Sequence, residues 1–314
     1  MAVPDPAAHA DTTAVVVTYN PDVARLKALC EATLPQVGQI VLVDNGSTTE
    51  ALAAIRPLCQ ARVHLLALGE NRGIGAAQNA GITQARQQQA DYVLLLDHDS
   101  IPAPDMVSRL RAALDEQPPG AAPVAAVGPR YADGRQAHNP SPFVQLQGLR
   151  RVRCPCQHPR QRIEVEHLIA SGSLIPVAVL DTIGDMNEDL FIDYVDIEWC
   201  LRATDAGYRV LGACDAHMQH ELGDTPIAFM GKHLPDHSPL RHYYLFRNAL
   251  LMYRLPHVSL RWKLVDFYQL IMKYGFYALV ATPRWPRIRM MNRGLWHGLL
   301  GRGGRHPTPS SRPS

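Results

Sequence analysis

Four short apolar runs, with three stretches between them that fit helices, constrain this chain more than any other feature. Ala14-Val-Val-Val-Thr18, Ile40-Val-Leu-Val-Asp44, Val63-His-Leu-Leu-Ala-Leu68 and Tyr92-Val-Leu-Leu-Leu96 are rich in apolar residues, as strands covered on both faces are. Residues 22–33, 48–59 and 74–88 carry helix patterns, with Ser47 or Thr48 available as a cap. The alternation predicts an α/β fold with an open, mostly parallel sheet and flanking helices. Ligands of such sheets bind at the carboxyl ends of the strands. The polar residues gather there: Thr18-Tyr19-Asn20, Asp44-Asn45-Gly46-Ser47 and Asp97-His98-Asp99.

Beyond Pro102 the pattern loosens. A helix is expected over 105–116 and a strand over 124–128. Residues 133–165, rich in Pro, Arg and Gln, read as a long mobile excursion. A strand interrupted by small residues follows at 168–175, then a helix over 195–206 ended by Gly207. At 314 residues the chain can bury a full core without a disulfide or metal staple. The six cysteines are scattered, and four in apolar surroundings read as reduced thiols, which implies a cytosolic setting. Cys154-Pro-Cys156-Gln-His158 has no second pair at zinc spacing, so zinc is not expected there. Residues 1–11 lack a basic start and an apolar core, and read as a loose tail rather than a signal or anchor.

The net charge of +2 hides an asymmetry: from residue 250 onward there are eleven Lys/Arg and one acid, Asp266. The apolar stretch 268–281 precedes Arg284, Arg287, Arg289 and Arg293. Basic plus apolar suggests peripheral contact with an anionic membrane. The stretch is too short, and too interrupted by Gln269 and Lys273, to span one. The alternative is a helix packed on its own domain with a solvated basic face. No motif for nucleic acid accompanies the charge, so no nucleic-acid partner is expected.

Asp97 and Asp99 lie two positions apart where a buried strand meets solvent, so their side chains point the same way. One or two carboxylates together with substrate phosphates commonly hold Mg²⁺ or Mn²⁺; the alternative is an ordinary turn or helix cap. Asp44 is suited to accept from a pyrimidine N–H, or simply makes the turn before a helix capped by Ser47. Asn71-Arg-Gly73-Ile-Gly75 opens a helix, where backbone amides favour phosphate. Gln78 stands where a dinucleotide fingerprint has its third glycine, which disfavours nicotinamide chemistry. Asp193, Asp196 and Glu198 cluster at another helix start, where they either supply an acid to a cleft or simply stabilise the helix terminus. Turning by about 100° per residue, Asp196 and Glu198 face different directions, so only one reaches a cleft.

The order of these motifs, Val-Thr-Tyr-Asn, Val-Asp-Asn-Gly-Ser, Asn-Arg-Gly-Ile-Gly, Leu-Asp-His-Asp-Ser and an acidic helix start, resembles the family 2 nucleotide-sugar glycosyltransferases of the GT-A fold. Phe191-Ile-Asp-Tyr-Val-Asp-Ile-Glu-Trp-Cys-Leu-Arg202 and Tyr243-Tyr-Leu-Phe-Arg-Asn248 are similar to segments of bacterial rhamnosyltransferases. The resemblance covers about residues 12–250. It implies that Thr18, Tyr19, Asn20 and Asp44 cradle the nucleotide, that Asn71 and Gly73 line the donor pocket, and that Asp97 and Asp99 form the Asp-x-Asp pair. In that pair Asp99 is the more direct metal ligand and Asp97 lies closer to ribose or metal-bound water. Asp196 matches the family's catalytic acid and is the expected base. Val195 replaces the usual preceding Glu, which leaves Asp193 as an alternative base. His220 resembles a downstream histidine that completes the metal or diphosphate site, or is a histidine in a strand-end turn. Arg247 contacts the diphosphate, or holds a helix.

The implied reaction is inverting, metal-dependent transfer of L-rhamnose from dTDP-L-rhamnose to a lipid-linked glycan or glycolipid, at the inner face of the cytoplasmic membrane. A UDP-hexose or UDP-galactofuranose donor, a non-catalytic scaffold, and a nucleotidyltransferase are the rivals. The expected layout is a disordered tail at 1–11, a GT-A domain at 12–250 with a nucleotide half (12–102) and an acceptor half (103–250), a basic apolar helical extension at 251–301, and a disordered tail at 302–314.

Overall fold

The structure is a computed structural model that describes residues 9–132, 143–220, 227–229, 232–234 and 237–307. The first half runs β1 (Thr12–Thr18), α1 (Val23–Thr33), β2 (Gln39–Asp44), α2 (Thr49–Ile55), β3 (Val63–Ala67), α3 (Ile74–Gln87), β4 (Tyr92–Asp97), β5 (Ser100–Pro102) and α4 (Met106–Asp115). The second half runs β6 (Val124–Ala132), β7 (Phe143–Gln147), β8 (Arg150–Cys154), β9 (Arg162–Glu164), β10 (Leu174–Pro176), α5 (Val177–Ile183), α6 (Val195–Asp205), β11 (Arg209–His220), β12 (Ile227–Phe229), β13 (Lys232–Leu234), α7 (Pro239–Arg254), α8 (Leu260–Leu279) and α9 (Arg284–Leu299).

One sheet, in the order β3-β2-β1-β4-β10-β6-β11-β5 with β9 beside β11, organises the molecule. β3, β2, β1 and β4 are parallel, as the alternating pattern predicts. Beyond β4 the sheet is mixed: β10 runs antiparallel to β4 and β6, while β6 and β11 run parallel. Alternation within the strands splits the core into two layers. Val15, Val17, Val41 and Val43 pack with α3 and α6, and Ala14, Val16, Ile40 and Leu42 with α1, α2 and α4. Asp22 caps α1 by accepting from the amides of Ala24 and Arg25. Thr48, one of the two expected caps, holds α2.

Several expectations need correction. Only Leu174–Pro176 of the 168–175 segment is a strand. Gly172 has φ +87° and its amide bonds Leu95 O, while Ser171 Oγ accepts from the Asp97 amide. The small residues make a turn that braces the end of β4. The excursion over 133–165 is ordered where described: β7 and β8 form a hairpin, β9 pairs with β11, and Arg162 pairs with Asp215 at 2.6 Å. Residues 133–142 lie outside the described residues. Cys156 and Cys214 form a disulfide 58 residues apart, and Cys30, Cys59, Cys154 and Cys200 are free. Sequence spacing could not show that the excursion returns to β11, and the cytosolic setting inferred from reduced thiols loses that support.

The C-terminal helices complete the packing. Gly294 and Gly298, one turn apart on α9, sit against the backbone of Tyr243 and Arg247 of α7, where a Cβ would collide. α7 itself runs through position 250. Residues 302–307, expected to be disordered, lie against the core: the Gly304 amide bonds Asp189 O and the His306 amide bonds Tyr244 Oη. Residues 1–8 and 308–314, also expected to be loose, lie outside the described residues. Among the described residues no helix is long and apolar enough to cross a membrane.

Candidate active site

A cavity of about 590 Å³ opens at the carboxyl ends of β1 and β4 and continues toward α7 and α8. Thr18, Tyr19, Asn71, Gly73, Asp97, Asp99, Asp193, Asp196 and His220 all line it. Asn20, Asp44 and Arg247 do not.

At the β1 and β2 ends the groups serve the turns. Asp44 is 1 % exposed; its carboxylate accepts from the Ser47 amide (3.1 Å), the Ser47 hydroxyl and Thr18 Oγ1 (3.4 Å). Asn20, with φ +45°, accepts from the Thr48 amide (2.9 Å). Asn45 bonds Asn71 Oδ1 and the Arg72 amide, so it shapes the loop leading into α3. Gly73 has φ +92°, and a Cβ there would lie 2.6 Å from Phe191 O. That same carbonyl accepts from the Ile74 amide at 2.7 Å, so this glycine lets the segment before α6 seat on the start of α3.

Asp97, Asp99 and His220 converge, each offering a ligand atom within 4.8 Å of the others. β4 delivers the first, the turn into β5 the second, and β11 pairing with β5 brings the histidine alongside. Ser100 Oγ bonds His220 Nδ1 (2.8 Å) and Ser171 Oγ (2.7 Å), fixing the ring. Asp99 Oδ1 is buried without a hydrogen-bond donor, 3.4 Å from His220 Nδ1. Burial, and next the Asp99 charge, push the Asp97 carboxyl above the usual range, with His220, His98 and Arg241 opposing. Two carboxylates and an imidazole around an oxygen that lacks a donor fit a divalent cation.

α6 presents Asp196 in its first turn, in the lining of the same cavity. Burial raises its carboxyl to about 6, against the backbone amides of Ile197 and Ala170; the charges of Asp193 and Asp97 add to the rise. Glu198 points elsewhere, 2 % exposed, paired with Arg202 (3.0 Å) and His257 (2.9 Å). Asp193 is engaged by Arg241 at 3.1 Å. Phe191, Asp193 and Tyr194 all have φ near +60°, which costs non-glycine residues energy unless their surroundings impose it. Arg247 and Asn248, both fully buried, impose it. Asn248 Nδ2 donates to Leu190 O, Ile192 O and Asp193 O, and Arg247 to Asp189 O and Leu190 O. Of the two expectations for Arg247, its contacts match a holding role and not a diphosphate contact.

Asn45, Gln78, Tyr194 and Arg241 were not expected in the lining, nor were Arg151, Asp266 and Lys273 at its far end. Asp266, 2 % exposed, accepts from Tyr194 Oη (3.1 Å) and Tyr253 Oη (2.8 Å) and lies 3.6 Å from Arg151. A single acid in a basic stretch was the available signal.

A strand-end cavity holding a carboxylate–histidine cluster and the separate Asp196 carboxylate sits on a mixed α/β sheet, and solved glycosyltransferases of the GT-A fold share that fold. The chain superposes on S. aureus TarS (residues 1–349) with TM-score 0.56 at 16 % identity, covering 91 % of this chain and 80 % of that one. It superposes on GalNAc-T7, solved with UDP, GalNAc and Mn²⁺, with TM-score 0.55 at 13 % identity, covering 87 % of this chain and 58 % of that longer chain. The family described as glycosyl transferase family 2 matches residues 13–183, and the chain belongs to it. It is 36 % identical over 251 residues to the dTDP-rhamnosyl transferase RfbF of Shigella flexneri, covering 79 % of this chain and 81 % of that protein. The protein is thus a nucleotide-sugar glycosyltransferase related to rhamnosyltransferases.

Proposed function

We propose that this enzyme transfers L-rhamnose from dTDP-L-rhamnose, with inversion, to a lipid-linked glycan or glycolipid in bacterial surface polysaccharide synthesis such as O-antigen. The donor follows from the likeness to RfbF. The observation that carries the chemistry is the placement of Asp196 in the same cavity as, but apart from, the Asp97–Asp99–His220 cluster. Asp97, Asp99 and His220 would hold Mg²⁺ or Mn²⁺, whose charge stabilises a departing diphosphate.

The remaining work belongs to the chain. Thr18 and Tyr19 border the nucleotide end, and Tyr19, 48 % exposed, offers a ring to the base. Asn71 and Gly73 border the sugar. Asp196, ionised above about pH 6, accepts the proton of the acceptor hydroxyl as that oxygen attacks the anomeric carbon from the face opposite the leaving group. The Arg241 pair occupies Asp193, which supports Asp196 as the base. Peripheral contact with the inner face of the cytoplasmic membrane would bring the acceptor to this cavity.

Hydrolysis measured across a panel of dTDP and UDP sugars tests the donor: turnover of dTDP-L-rhamnose above the UDP sugars is expected. Preference for a UDP-hexose or UDP-galactofuranose would overturn the donor assignment, and consumption of none would favour a scaffold.

A further inference from the structure

α8 has two opposed faces, and the wrong one is apolar for a helix on a free surface. Leu260, Leu264, Phe267, Tyr268, Ile271 and Met272 recur at helical spacing and are each at least 50 % exposed. On the other side Trp262, Val265, Leu270 and Tyr277 are buried in the core, and Asp266 and Lys273 line the cavity. Contiguous exposed apolar surface of this kind marks an interaction face.

Charge indicates what covers it. From residue 250 to 307 the sole acid is Asp266, which is buried. Arg284 and Arg289 of α9 are exposed, as are Trp285 (80 %) and Trp296 (60 %). A second copy related by a two-fold axis would set the same cations against each other. An anionic lipid surface supplies the opposite charge and accommodates indole rings at its interface.

We propose that the outer face of α8, with the cations and tryptophans of α9, seats this protein on an anionic bilayer, so that the inner face of the same helix presents Asp266 and Lys273 to an acceptor carried in that bilayer. The wall formed by those two residues then stands about one helix diameter, roughly 10 Å, from the lipid. An acceptor head group thus reaches the cavity without leaving the membrane surface. The second half of this proposal rests on the acceptor being lipid-carried; the first does not.

The test uses the full chain with sedimenting vesicles, either of phosphatidylcholine alone or of equal parts phosphatidylcholine and phosphatidylglycerol. Binding to the anionic vesicles is expected, with little to the neutral ones. Leu264→Glu/Ile271→Glu should weaken it on the order of tenfold or more, and Arg284→Gln/Arg289→Gln about tenfold. Lys27→Gln/Arg56→Gln, which removes the same charge from α1 and the end of α2, should leave binding unchanged. If the glutamate pair does not fold, shown by loss of the circular dichroism melt, the arginine pair decides. Equal binding to neutral vesicles, or loss of binding in the Lys27/Arg56 variant, would overturn the proposal. So would a lipid-free dimer in light scattering that Leu264→Glu/Ile271→Glu makes monomeric. Hydrolysis of dTDP-L-rhamnose in lipid-free buffer separates the two readings. A glutamate pair that hydrolyses donor normally but no longer sediments with vesicles supports docking. A wild type that binds vesicles but hydrolyses no dTDP sugar leaves docking standing and removes the assigned reaction.

Discussion

The two walls of the cavity are built by opposite means. On the donor side, Thr18, Asp97 and the Asn45–Asn71 pair sit at or just beyond the ends of parallel strands, fixed by sheet hydrogen bonds and by loop contacts such as Asn45–Asn71 and Asp97–Ser171. On the acceptor side, Asp193 and Asp196 hang on a segment with three left-handed non-glycine residues. That segment is held by side chains more than fifty positions downstream on α7. The first wall takes its rigidity from the sheet, whereas Asp196, the proposed base, follows irregular backbone that buried α7 side chains must hold.

The sharpest way to break this contrast is Asp196→Asn. Transfer should fall about a thousandfold or more, while nucleotide binding, measured by calorimetry, stays within a few-fold. A comparable loss from Asp193→Asn instead would move the base. Asp99→Ala should cost about a hundredfold in transfer and, unlike Asp196→Asn, should also weaken nucleoside diphosphate binding and abolish its dependence on added Mg²⁺ or Mn²⁺. Asn248→Ala removes two N–H donors shared among three carbonyls of the strained segment, each donor worth about 1 kcal/mol. The expected signature is a kcat reduced roughly tenfold to a hundredfold with donor KM little changed. A change in donor KM alone would show that the brace serves the other wall.

The smallest effects concern protons. Transfer should rise with pH through about 6 and then level, because Asp196, as the proposed base, must be ionised to accept a proton. Its carboxyl is raised on folding, so the ionised form opposes stability above that pH. Removing the charge in Asp196→Asn should therefore raise the thermal midpoint at pH 7, by about 1–3 kcal/mol of stability. The gap should close as the pH falls from about 6 toward the ordinary carboxylate range. An unchanged midpoint would show that water reaches this carboxylate freely.

How much the sequence revealed follows the same division. β1, β2, β4 and α3 were legible to within a residue or two, because apolar runs, caps and glycines act on their immediate neighbours. The position of Asp97 and Asp99 at the end of β4 was legible for the same reason. The turn at 169–173, the Cys156–Cys214 link and the burial of Arg247 were not, since each depends on a partner distant in sequence. Asp44 shows the intermediate case: its position at a strand end was evident, yet Ser47 and Thr18 claim its oxygens. The basic, apolar C-terminus was visible as composition, but only the packing shows which face of α8 meets the cavity.

The segment 302–307 has a practical bearing on anyone purifying this enzyme. Gly304 both donates to Asp189 O and accepts from Arg247, so residues 302–307 are stitched to the brace that holds the segment before Asp196. A recombinant form shortened to residue 301, or one carrying an affinity handle fused directly there, would lose catalytic rate while keeping its nucleotide affinity, and could be mistaken for an enzyme supplied with the wrong acceptor.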